Sequence, residues 1–313
     1  MGETKEGVAI LGIFVADTAY MASRLPAIGE TIIGSGFTVG PGGKGSNQAV
    51  AAARAGGRVS FISKIGKDTF GDMALATWKA EGVISRVVVS DIDATGAAFI
   101  FVNPATGENA IIVYPGAAGT VSPADVEASA EAIRGAKVFV TQLEQPVDAA
   151  ERGLALAREA GAITVFNPAP AIPFPPSIYA MCDYIVPNET EAAGITGIAP
   201  GSEDDARRAG DVLLSRGVGC ALITLGERGA LFHSRDRSVL VPAFTPGKVV
   251  DTTGAGDAFV GGFAVALSDG LDPMAAARFG CAAASISVTR RGTAPAMPSR
   301  AEIEALLASV SAS

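Results

Sequence analysis

The segment Asp251-Thr-Thr-Gly-Ala-Gly-Asp257 ends a run of small residues on a carboxylate, directly before the apolar stretch Ala258–Leu267. Small residues at a helix start let successive backbone N–H groups point outward where the helix dipole gathers partial positive charge. The spacing therefore predicts an anion site. A second negative charge is repelled from such a site unless it has a task there. Taking a proton from a hydroxyl that attacks a bound phosphate is one such task. The competing use of Asp257 is simple capping of the helix, and on this segment alone the two readings stand level.

Two other groupings carry polar atoms in useful places. Asn188-Glu-Thr-Glu191 follows the apolar Val186-Pro187, the C-terminal end of a predicted strand, where open α/β sheets bind ligands. Asn188 and Glu191 share one face of a helical turn, and an amide oxygen with a carboxylate suits a hydrated Mg²⁺. The same pair also reads as a capped helix start. Gly40-Pro-Gly-Gly-Lys-Gly-Ser-Asn-Gln48 formally contains G-x-G-x-x-G. A dinucleotide fingerprint belongs directly after the first strand, however, and this segment lies well beyond Val15, which argues against an oxidoreductase. A Walker loop is excluded because Gly45 follows Lys44. What remains is a turn into a helix that carries Lys44 and Asn47, side chains able to grip hydroxyls. Asp17, Glu144 and Thr224-Leu-Gly226 each follow an apolar run and add weaker signals of the same kind.

Composition narrows the field. The 313 residues carry 32 acidic and 24 basic side chains, a net charge of −8 that repels nucleic acid and anionic lipid surfaces. Three cysteines, Cys182, Cys220 and Cys281, form neither a zinc spacing nor an even disulfide set, and a reducing compartment fits them. With a single histidine, His233, mechanisms that need two imidazoles fall away. We expect His233 to be structural and the cysteines to be packing residues. The residues before Val8 are acidic where a secretory leader is basic, and no apolar run is long enough to span a bilayer. A soluble cytoplasmic protein is expected.

The elements that must hold these groups alternate. Val8–Val15 reads as a buried strand, Thr31–Val39 as a second and Gly43–Ala55 as a helix. Val59–Lys64 and Phe70–Glu81 repeat the strand and helix pattern. Thr95–Asn103 and Asn109–Tyr114 form a hairpin that interrupts the alternation. Strands Val138–Thr141, Ile163–Asn167, Tyr184–Val186 and Cys220–Thr224 then alternate with helices Val147–Ala160 and Glu203–Arg216. A short hairpin, Gly229–His233 with Ser238–Val241, precedes helices Ala255–Ser268 and Pro273–Val288 and a last one from Ser299. The pattern predicts an α/β fold, a mostly parallel central sheet with helices on both faces. A small β lid from roughly residues 16–40 and 94–115 is expected on this single domain.

Taken in order, GGKGSNQA (Gly42–Ala49), TQLE (Thr141–Glu144), NPAP (Asn167–Pro170), VPNETE (Val186–Glu191), ITLG (Ile223–Gly226) and DTTGAGDAF (Asp251–Phe259) resemble the ribokinase family of PfkB-type carbohydrate kinases. The resemblance covers essentially the whole chain. It implies transfer of a phosphoryl group from ATP to the primary 5-hydroxyl of a pentose, with ribose first and 2-deoxyribose second. By the same resemblance Asp257 is the base and the amides of Gly254, Ala255 and Gly256 form the anion hole. Asp17, Gly43, Lys44, Asn47 and Glu144 would bind the sugar. Asn188, Thr224, Gly226, Ala255 and Gly256 would meet the nucleotide, and Asn188 and Glu191 would hold Mg²⁺ through water. An activating K⁺ would sit on Asp251 with the carbonyls of Thr253, Ser287, Arg290 and Gly292. A homodimer paired through the lid is implied as well. Two positions depart from the family pattern: Val15 stands where Asn is usual, and Cys281 where His is frequent near the adenine. A non-catalytic sugar-binding protein is the reading from another class.

Overall fold

Strand β1, Val8–Leu11, is buried at every residue, and its alternate side chains enter different cores. Val8 and Ile10 join the cluster that holds Phe259 and Phe263. Ala9 and Leu11 join the cluster that holds Leu154 and Leu213. This period of two, apolar on both sides, is what a parallel strand covered by helices above and below requires. In the computed structural model, which describes residues 5–311, β1 lies inside a nine-stranded, mostly parallel sheet.

The remaining strands are β2 (Val15–Met21), β3 (Gly36–Gly42), β4 (Val59–Gly66), β5 (Ile84–Ser90), β6 (Thr95–Val102) and β7 (Asn109–Gly116). They continue with β8 (Val138–Thr141), β9 (Ile163–Phe166), β10 (Tyr184–Ile185), β11 (Cys220–Thr224), β12 (Ala230–Ser234) and β13 (Ser238–Val241). The large sheet runs β13-β12-β11-β10-β9-β8-β1-β4-β5, and β12 alone runs against the others, antiparallel to both β11 and β13. A second sheet, β3-β2-β6-β7, stands apart from it. No helix among the described residues is long and apolar enough to cross a membrane.

Three elements differ from expectation. The apolar run Val8–Val15 is not one strand: β1 ends at Leu11, and β2 starts at Val15 in the other sheet. Gly12 makes the change possible, because a Cβ there would stand 2.5 Å from Gln142 Oε1 and 2.7 Å from the Cα of Gly45. The strand expected from Thr31 begins only at Gly36, the residue paired with Met21 at the end of β2. Residues 31–35 have no partner strand, and a ladder cannot outrun its partner. Finally β5, an edge strand beside β4, escaped the sequence reading because its apolar run, Val87–Val89, is only three residues long and is cut off from Ile84 by Ser85 and Arg86.

The two faces of the small sheet differ. Val15 and Ala98 pack with Ile13 and Ala118 on the side toward the body. On the other side the ladder aligns Tyr20 with Phe37, Thr18 with Val39 and Phe99 with Ile112. Tyr20, Phe37, Val39, Ile112 and Tyr114 are all exposed there, Ile112 by 68%.

Candidate active site

Helix Ala255–Ser268 begins at Gly254, whose φ of 78° is a state that side chains with a Cβ rarely adopt. Its first full-turn bond runs from the Ala258 N–H to the Gly254 carbonyl at 2.9 Å, and the Ala255 N–H already donates to the Thr252 carbonyl at 3.3 Å. Helix geometry therefore frees the amides of Gly256 and Asp257 for a ligand. They face an open cavity of about 130 Å³ shared with Lys44, Asn188, Glu191, Thr224 and Thr252.

The Asp257 carboxylate closes the floor of this cavity. Asn47 Nδ2 donates to its Oδ2 at 3.1 Å and Gln48 Nε2 to its Oδ1 at 3.0 Å. Both donors come from helix Lys44–Arg54, which starts after Gly43 at a φ of 87°. Burial pushes the Asp257 carboxyl up, against the opposing pull of the Lys44 ammonium and the two amides. Lys44 itself is raised: burial works against its charge, but Asp257, Glu144 and Glu191 outweigh it.

Two further carboxylates complete a charged cluster. Glu144 Oε2 accepts the Lys44 backbone N–H at 2.7 Å. Burial raises the Glu144 carboxyl to about 7, with Lys44 opposing. Asp17 lies in β2, and its carboxylate fills the space that a side chain on Gly42 would take, since a Cβ there would stand 2.3 Å from its oxygens. Burial, then the charge of Asp257, raises Asp17 to about 6. Asn47 Oδ1 is buried without a hydrogen-bond partner, an acceptor aimed at something that brings its own donor.

Asn188 and Glu191 form a reciprocal capping box at the start of helix Glu189–Thr196, so the capping reading is realised. The Asn188 N–H donates to Glu191 Oε2 at 2.8 Å and the Glu191 N–H to Asn188 Oδ1 at 2.8 Å. Both residues also line the cavity, and each oxygen retains a lone pair. No cluster of three or more metal-ligating side chains occurs among the described residues. An amide oxygen and a carboxylate side by side on the cavity wall suit a hydrated Mg²⁺ met through water.

Asp251 occupies separate ground. Its Oδ1 accepts the Thr253 N–H at 2.9 Å and its Oδ2 the Gly292 N–H at 3.0 Å. The loop after helix Pro273–Ser287, with Arg290 bonded back to the Ser287 carbonyl, is thus drawn onto this carboxylate. Burial pushes Asp251 up, but the amides of Gly292 and Thr253 overcome it and hold the carboxyl below its ordinary range. A carboxylate kept anionic at this loop has the charge that a cation would need. Thr293 Oγ1 donates to the Pro41 carbonyl at 3.2 Å, tying that loop to the end of β3.

The structure thus brings Asp17, Lys44, Asn47, Glu144, Asn188, Glu191, Thr224 and Asp257 to one region. Gly226, two residues past β11, opens the short turn Gly226–Arg228 and stands outside the cavity lining. His233 Nε2 faces Asp211 Oδ1 at 2.9 Å and Nδ1 faces Ser238 Oγ at 2.8 Å, a structural placement. All three cysteines are buried and free, and burial pushes the Cys281 thiol up to about 12. Gln48, Gln142 and Asn167, a chain of amides behind Asp257, had drawn no role from the sequence.

A model described as pfkB family carbohydrate kinase matches residues 5–300. The deoxyribokinase of Salmonella typhi is 37% identical over 93% of this chain and 95% of its own length. The ribokinase of Staphylococcus aureus is 38% identical over 95% of this chain and 98% of its own. Among solved structures, Arabidopsis thaliana ribokinase complexed with ribose and ATP superposes with a TM-score of 0.89 at 29% identity, covering 97% of this chain and 99% of that one.

Proposed function

The chain belongs to the pfkB family of carbohydrate kinases, and from that premise we propose that it phosphorylates the 5-hydroxyl of a pentose, D-ribose first, at the expense of ATP. A kinase of this class sets aside both the dinucleotide-dependent oxidoreductase and the non-catalytic sugar binder. The observation that carries the reading is the juxtaposition of a buried carboxylate, a lysine and unspent helix amides in one cavity.

In the proposed reaction the sugar lies against Asp17, Gly43, Lys44, Asn47 and Glu144. The unpaired Asn47 Oδ1 and the carboxylates of Asp17 and Glu144 accept hydrogen bonds from its hydroxyls. ATP enters past Asn188 and Thr224, with Gly226 at the edge of its path, and sets its terminal phosphoryl at the turn Gly254-Ala255-Gly256, where Gly256 offers a free amide and that of Ala255 must first leave the Thr252 carbonyl. The primary alcohol loses its proton to Asp257 as its oxygen bonds to phosphorus, and the bond to the ADP oxygen breaks. Lys44 offsets the negative charge of the transferred group. Mg²⁺, met through water by Asn188 and Glu191, would supply charge neutralisation on the phosphates. K⁺ at Asp251, with the carbonyls of Thr253, Ser287, Arg290 and Gly292, would set the loop that abuts the anion hole. The small sheet acts as a lid over the sugar, and its exposed face of Tyr20, Phe37, Val39, Ile112 and Tyr114 is covered by a second copy of the chain. A monomeric mass in sedimentation at micromolar concentration would remove that pairing.

Val15 favours a second substrate. It is only 4% exposed, packs with Ile13, Ala98 and Ala118, and shares a strand face with Asp17 by the two-residue period. An apolar side chain there suits a sugar that lacks a hydroxyl, and the deoxyribokinase relative points the same way. ADP release measured across a sugar panel decides between them. We expect ribose to give the highest kcat/KM; equal or higher efficiency with 2-deoxyribose reassigns the substrate, and no ADP release with any sugar sinks the kinase reading.

A further inference from the structure

Gln48 is wholly buried, yet every one of its polar atoms is engaged on the side facing Asp257. Its Nε2 donates to Asp257 Oδ1 at 3.0 Å and to Asn167 Oδ1 at 3.1 Å, so both amide hydrogens end on oxygens. Its Oε1 accepts from Gln142 Nε2. Asn167 cannot turn its own amide around, because its Nδ2 is committed to the Val186 carbonyl at 2.8 Å. A flipped Gln48 would press its carbonyl oxygen against a carboxylate and a second carbonyl oxygen, and would present its NH₂ to Gln142. One orientation therefore satisfies Gln48, and in it Gln48 is a donor to Asp257, while Gln142 Oε1 stays buried without a partner.

The chain is anchored on the large sheet. Gln142 directly follows β8, Asn167 directly follows β9, and Val186 directly follows β10. Gln142 lies against Gly12 and Gly45, where no side chain competes for its place. The neighbours of Gln48 along the helix, Ala49, Val50, Ala51 and Ala52, are apolar and buried. Space filling alone would call for an apolar residue here too, since an amide in such a place is costly unless fully bonded.

We propose that Gln48 is a positioning residue for phosphoryl transfer, fixing the plane of the Asp257 carboxylate and holding it in the form that accepts the sugar's proton, with Gln142 locking Gln48 in turn. The proposal rests on the reading of Asp257 as the base. Gln48 touches neither sugar nor nucleotide and acts through Asp257 alone. The charged groups around that carboxylate are Lys44 from the helix that carries Gln48, Asp17 from β2, Glu144 after β8 and Glu191 from helix Glu189–Thr196. None of them changes when Gln48 is replaced, so a displaced titration belongs to the lost donor.

The test is the pH profile of kcat/KM for the sugar in Gln48→Met. A hydrogen bond to a charged group lost from a buried carboxylate moves the acid limb upward by about one pH unit, with a deficit of about tenfold on the acid side of the limb that closes on its alkaline side. The KM for ATP stays at the wild-type value. A purely structural role would instead lower the rate by the same factor at every pH. Should Gln48→Met fail to melt cooperatively, Gln142→Met is measured in its place, with a smaller displacement in the same direction. Acid limbs that superimpose on wild type overturn the proposal. Asp257→Asn separates the two levels: if it retains turnover the base reading fails, whereas an inactive Asp257→Asn beside an unmoved Gln48→Met removes only Gln48.

Discussion

Asp251 and Asp257 stand at opposite ends of one glycine-rich segment and live in opposite electrostatic settings. Asp251 is partly exposed and fastened by the backbone amides of Thr253 and Gly292, which hold its carboxyl down. Asp257 is buried, and although the Lys44 ammonium and the side-chain amides of Asn47 and Gln48 oppose it, burial prevails and its carboxyl is pushed up. Backbone amides are fixed dipoles that favour the anion at every moment; side-chain amides in a dry pocket leave the balance closer. The difference separates a carboxylate built to stay charged, as a cation ligand must, from one able to take up a proton.

Replacing each of the two by Asn breaks the comparison most sharply. Asp257→Asn keeps the shape but cannot accept a proton, and its single amide oxygen can accept from only one of Asn47 and Gln48; kcat is expected to fall by about 10²–10⁴-fold with little change in the KM for ATP. Asp251→Asn should lose far less, retaining turnover while its rate no longer responds when K⁺ replaces a larger cation. Steady-state rates of both variants with and without K⁺ provide the check. Equal losses in the two would mean that the segment works as a single unit and that the assigned division of labour is wrong.

The same contrast explains what could be read without coordinates. Asp257, Asn188 and Glu191 announced themselves because their chemistry depends on short local spacing at helix starts, and those helix starts are present. The large sheet was foreseen from continuous apolar runs such as Val138–Thr141, which are buried on both faces. Non-local features were harder. Nothing near Gly12 says that the chain changes sheets there, because the reason is the approach of Gly45 and Gln142 from distant segments. Asp17 was placed after a strand and instead lies within β2, whose polar Asp17 and Thr18 interrupt the apolar pattern. Gln48, Gln142 and Asn167 sat inside recognised motifs, yet their convergence on Asp257 spans residues about a hundred or more positions apart in the chain.

The smallest expected effect sharpens the comparison on the sugar side. Asp17 and Glu144 are half-buried, and their carboxyls, like that of Asp257, are pushed up by desolvation, to about 6 and about 7. A folded pKa above the ordinary value means that the sugar-free protein prefers these groups protonated. Their contribution to stability is therefore full in acid, below the ordinary carboxylate range, and is lost as pH rises through about 6 and then about 7. Hydroxyl donors favour the ionised form, so a bound sugar pulls both groups down and its affinity must climb over the same window. Between pH 5.5 and 7.5 the Kd for the sugar should fall by about tenfold, with proton release on binding at the acid end. Calorimetric titrations in two buffers of different ionisation enthalpy read both quantities, and Asp17→Asn should flatten the lower part of the curve. If Kd is flat and no protons leave, the sugar meets these carboxylates already charged, and only Asp257 would then remain as a group that exchanges a proton in this site.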